Sequence, residues 1–108
     1  MKHSLAYLLA LTAISAAPSR QTFTGVISDD MCWKAGHERM GMGPTDAECT
    51  KACVAEHGAA YVLKAGANVY TLSDQKTPER FAAQKTKVVG TLDIKTKTIH
   101  VESISPVK

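Results

Sequence analysis

The run Ala59-Ala60-Tyr61-Val62-Leu63-Lys64-Ala65-Gly66-Ala67-Asn68-Val69-Tyr70-Thr71-Leu72 decides how this chain is read. Ala59 to Leu63 and Val69 to Leu72 are rich in β-formers, and Lys64 to Asn68 supplies turn residues between them. Two such segments around a glycine-bearing turn predict a hairpin.

Toward the N-terminus, Thr45-Asp46-Ala47-Glu48 has the form of a capping box, with Thr45 as N-cap and Glu48 reaching back. It predicts a helix over about 46–57, closed by Gly58 in the left-handed conformation. Further back, Thr22-Phe23-Thr24-Gly25-Val26-Ile27-Ser28 reads as a first strand. Gly25 in its middle predicts a bulge or sharp bend. Toward the C-terminus, Thr77-Pro78-Glu79 places a proline at the first position of a short helix, about 78–83. Lys87 to Leu92 is a fourth strand, and Asp93 to Lys97 turns the chain. Thr98 to Ile104 is a fifth, with Ile99 and Val101 on one face and His100 and Glu102 on the other. Ile104 is out of phase, so the strand is expected to bend or end there, and Pro106 to stop it.

The expected fold is therefore mainly β with a helical insert. Five strands, the insert after the first and a short helix between the third and fourth, match the element order of a small OB-like barrel. A different small barrel or a sandwich is the rival.

At 108 residues the chain holds one domain. Residues 1–17 have the layout of a secretory signal peptide: Lys2, an uncharged apolar run from Leu5 to Ile14, then Ser15-Ala16-Ala17. The run is well short of the roughly 20 residues a spanning helix needs, so no membrane anchor is expected. Residues 18–108 then form a single OB-like domain, exported to the periplasm or outside the cell, with a Cys/His insert at 29–58. Without Lys2 the chain keeps twelve cationic against ten acidic residues, mixed along its length. No Lys/Arg block marks a nucleic-acid partner, and none is expected. A domain this small often needs a disulfide or a metal as a staple.

The insert holds the candidate chemistry. Cys49 and Cys53 lie four apart on the predicted helix, so both face one way, with β-carbons roughly 5–6 Å apart. Cys32 and His37 come from the preceding loop, where Gly36, Gly41 and Gly43 leave no regular period. Cys32, His37, Cys49 and Cys53 would make a closed Cys3His site of the structural zinc type. His57, one turn beyond Cys53, is a possible additional ligand. Met31, Met40 and Met42 are others, and such thioethers would suit copper(I) better than zinc. Beside this stands a disulfide, from Cys32 to Cys49 or to Cys53, because an oxidising compartment preserves disulfides. It would stabilise by about 3 kcal/mol. Plain core thiols, a surface His37, loop-packing methionines and a solvated His100 are the bland readings. Trp33 is expected to pack the insert on the barrel, Phe23, Tyr61, Tyr70 and Phe81 to be core or rim, and Asp29-Asp30 to cap the loop.

Taken together, Gly25 to Asp30, then Cys32, His37, Cys49, Cys53, Gly58, Tyr61-Val62-Leu63, Val69-Tyr70, Val88 to Leu92 and Ile99-His100-Val101 resemble a family of small exported bacterial proteins. That family carries a Cys…His…Cys-x-x-x-Cys segment ahead of an OB-like strand set. The resemblance spans nearly the whole mature chain. It implies the fold and export; the family's function is unknown, so it implies no activity and no catalytic residue.

The chain thus reads as an exported binding or structural module with a Cys/His centre that binds zinc or copper or is stapled by a disulfide. A thiol–disulfide redox protein using Cys49 or Cys53 with Cys32 is the alternative, and an OB-type ligand or nucleic-acid binder the third. No partner is named by the residues, and an enzymatic role has no support in them.

Overall fold

The computed structural model describes residues 19–31 and 45–107. Its elements are β1 (Gln21–Asp29), α1 (Asp46–His57), β2 (Tyr61–Ala65), β3 (Asn68–Leu72), a 3-10 turn (Thr77–Phe81), β4 (Lys85–Asp93) and β5 (Thr98–Pro106). The fold is mainly β, five strands in one mixed sheet that rings round on itself in the order β1-β2-β3-β5-β4. Neighbours run antiparallel except at the β3–β5 joint, which is parallel and short, Thr71 opposite Thr98 and Leu72 opposite Ile99.

At Gly25, where a bulge or sharp bend is expected, β1 keeps continuous register with both neighbours. It pairs with β4 from Gln21 to Val26 and with β2 from Val26 to Asp29, so it changes partner next to Gly25. A β-carbon on Gly25 would lie 2.4 Å from the Lys64 carbonyl oxygen. Only the absence of a side chain lets the two backbones approach so closely.

The out-of-phase Ile104 has a physical cause. Val89 pairs with Ser103 but Gly90 pairs with Val101, a register shift that skips Glu102. The extra residue is a bulge, and it returns Ile104 to the inward face instead of ending the strand. β5 therefore runs on to Pro106.

Several element ends lie one or two residues from expectation, and two of these differences have a visible cause. The second strand starts at Tyr61, not Ala59, because Ala60 is occupied in joining the helix to β1: its N–H donates to Asp30 Oδ1 at 3.0 Å, and its carbonyl accepts the Asp30 N–H at 3.0 Å. The short helix is a 3-10 turn that ends at Phe81, because Gln84 must deliver its carbonyl to the Ile27 N–H.

Inside the ring lie Ile27, Tyr61, Leu63, Leu72, Val88 and Ile99, with Phe23, Tyr70 and Phe81 half-buried around them. The four aromatics are thus core or rim, as expected. His100 is exposed, as expected. No helix among the described residues is long and apolar enough to cross a membrane.

Candidate functional site

The candidate site rests on α1, and its sequence explains both ends of the helix. The Thr45 hydroxyl accepts the Glu48 N–H at 3.1 Å. Asp46 and Glu48 sit in the first turn, where the exposed N–H groups favour negative charge. At the other end Gly58 adopts φ +70°, and the Ala59 N–H donates to the Cys53 carbonyl at 3.3 Å. These are the bounds and caps the residues predicted.

What the helix buries was less legible. It packs against β1. Cys49 is 1% exposed, and Thr50 and Cys53 are fully buried. Val54 and Ala59 complete the apolar contact around the two cysteines. Lys51, Ala55, Glu56 and His57 face solvent. A helix docked on a sheet ordinarily buries a stripe of large apolar side chains. Here two sulfurs and a threonine take that place. The Ser28 and Thr50 hydroxyls are buried as well, with no hydrogen bond to another described residue. A buried polar atom left this way costs about 1–3 kcal/mol. The seat of α1 is therefore small, soft and polar. The sequence reading missed Ser28 and Thr50; the one signal was that both lie beside candidate residues.

The placement of the sequence-predicted ligands follows. Cys49 and Cys53 come together on the buried face of α1. His57 stands one turn beyond Cys53, exposed at the helix end. Met31 follows β1, is 38% exposed, and donates its N–H to Asp29 Oδ2 at 3.0 Å. Cys32, His37, Met40 and Met42, like Trp33 and the expected signal peptide, lie outside the described residues. Among the described residues no three His, Cys, Asp or Glu side chains converge as a metal site. Only Cys49 and Cys53 of the four primary candidates belong to that set.

Of the two aspartates, Asp29 caps the start of the loop as expected, whereas Asp30 ties β1 to the helix exit. Asp29 is fully buried and receives the Met31 N–H; Asp30 is exposed and receives the Ala60 N–H. Next to them Gln75 stands in for a neighbouring strand. Its Oε1 accepts the Tyr61 N–H at 2.8 Å, and its Nε2 donates to the carbonyls of Tyr61 at 3.0 Å and Leu72 at 2.9 Å. Burial first, then the charges of Glu79 and Asp29, hold the Tyr61 phenol above its usual range. Asp74 starts the 3-10 turn, accepting the N–H groups of Lys76 at 2.9 Å and Thr77 at 3.0 Å. Hydrogen bonds from Thr77, then that of Lys76 and its charge, hold the Asp74 carboxyl below its usual range.

No family model, curated protein or solved structure matches this chain.

Proposed function

We propose that this protein is a small exported binding or structural module in which an OB-like barrel carries a sulfur centre at the base of the 29–58 insert. The observation that supports this reading is the pairing of Cys49 and Cys53 on the buried face of one helix. Two thiols at that spacing are half of a tetrahedral ligand set. Cys32 and His37 supply the other half, and zinc or copper fills it. The role of the centre is to clamp the insert to the ring. The ring order and the insert in the first strand connection support the OB-like identity, since OB folds use that connection for binding.

Burial supports this reading over the redox alternative. An exchange-active thiol must be reachable by its substrate. Cys49 at 1% and Cys53 at 0% exposure are not. The same burial suits a structural disulfide to Cys32, which is the second reading. Against both stands the plain core thiol, since free cysteine packs well as a small apolar residue.

Elemental analysis after purification without chelator tests the proposal. The expected result is one zinc or copper per chain, with a melting temperature lowered by chelator because site formation and folding are linked. Metal-free protein whose melting is indifferent to chelator and to reductant would remove the centre altogether.

A further inference from the structure

A cleft between α1 and the 3-10 turn is lined by Lys51, Lys76, Thr77, Glu79 and Arg80. It holds about 460 Å³. Lys51 follows Cys49 by two residues, so it leaves the helix from nearly the opposite side to the sulfurs. Three cations from two separate segments thus line one cleft together with one acid. Among the described residues the one ion pair is Arg20 with Glu102, which uses none of them. The neighbouring carboxylate, Asp74, accepts the backbone N–H groups of Lys76 and Thr77 and also feels the Lys76 charge. Arg80 has its guanidinium 5.5 Å from the Phe81 ring centre, a stacking that holds the fork in place.

We infer that this cleft binds a small oxyanion that carries a proton of its own, with Lys51, Lys76 and Arg80 holding the negative oxygens and Glu79 accepting the hydroxyl. Charge alone would draw in any anion. Glu79 supplies the discrimination, because an anion without a donor leaves that carboxylate facing like charge. A phosphate or phosphate monoester that is still singly protonated fits. Sulfate, of the same shape and charge as hydrogenphosphate but with no proton to give, does not. The lining is open to solvent, so the binding is weak, on the order of millimolar, and falls with salt.

Amide shifts of the full mature protein under inorganic phosphate and, separately, sodium sulfate at matched ionic strength test this. Phosphate should give saturable shifts centred on Lys51, Thr77 and Arg80, and sulfate should bind at least threefold more weakly. The double variant Lys51→Ala, Arg80→Ala should weaken phosphate at least tenfold with an unchanged melting temperature. Glu79→Gln should bring sulfate up to the level of phosphate. Shifts that never saturate, or that spread equally to Lys85, Lys87 and Lys95, would overturn the site. Equal binding of the two anions by the unaltered protein would overturn the role of Glu79.

Discussion

The two ends of the strand ring are built differently. Beneath α1, backbone groups are satisfied by side chains far away in sequence: Asp30 holds Ala60, and Gln75 holds Tyr61. At the other end the turns look after themselves. Gly66 takes φ +61° in the β2–β3 turn, and Asp93 Oδ1 accepts the N–H groups of Lys95 at 3.0 Å and Thr96 at 3.3 Å. The two turns meet lightly, through Lys97 Nζ donating to Asn68 Oδ1 at 3.2 Å and lying 5.2 Å from the Tyr70 ring centre. Phe23 and Tyr70 meet edge to face at 5.4 Å and stay half-buried. The helix-covered end depends on tertiary ties and holds the described candidates Cys49, Cys53, His57 and Met31. The turn end relies more on bonds within each turn.

The largest effect should separate two leucines that flank Ile99 on neighbouring strands. Leu72 is 1% exposed, whereas Leu92 is half-buried. Leu72→Ala should cost about 3 kcal/mol in urea unfolding, and Leu92→Ala about half that. Equal costs would mean that the two positions are packed alike. Next, Cys49→Ser or Cys53→Ser should each cost about 1–3 kcal/mol, through a polar atom in the seat of α1 and loss of the centre. His100→Ala, on the exposed face of β5, should stay within about 0.5 kcal/mol. Identical melting temperatures for all three would leave the cysteines no structural importance.

The pH dependence should also belong to the covered end. Asp74 is held below its ordinary value of 3.8 when folded, so its contribution is present above that value and lost as the pH falls through the lower, folded one. Tyr61 is held above its ordinary 10.0, so its contribution is full below pH 10.0 and lost as the pH rises through the higher, folded value. Asp74→Asn should flatten the acid limb of a stability–pH profile, and Tyr61→Phe the alkaline limb. Limbs unchanged by these variants would assign the dependence to other groups. The smallest contrast concerns two non-glycine residues in left-handed backbone, Ala83 at φ +65° and Lys97 at φ +54°. Ala83→Gly should stabilise by about 0.5–1 kcal/mol by relieving that conformation. Lys97→Gly should bring no such gain, because it also gives up the contacts to Asn68 and Tyr70. Equal gains would show that those contacts are worth nothing.

What could be read from the residues follows the same division. Thr45, Glu48 and Gly58 defined α1 to the residue, because caps act within a turn of the chain. Gly25 announced the close approach of β1 to Lys64, because such an approach demands the smallest residue. The start of β2 was placed two residues early because the partner of Ala60 is Asp30, thirty positions back. Ile104 looked like a strand end because a bulge at Glu102 depends on the register of β4, which no single strand contains. In the site, Cys49 and Cys53 shared a face by helix arithmetic. The burial of Ser28 and Thr50 depended on where α1 docks, and that is a property of the assembled ring.

The central claim is that the sulfurs form one centre. Intact mass of the native protein, with and without thiol alkylation, tests it most directly. The expected result is no alkylation of Cys32, Cys49 or Cys53 and a mass increased by one metal ion, or, for the disulfide reading, a mass two hydrogens below the reduced chain. Metal-free protein at the fully reduced mass, with Cys32 alkylated at once in the native state, would contradict it.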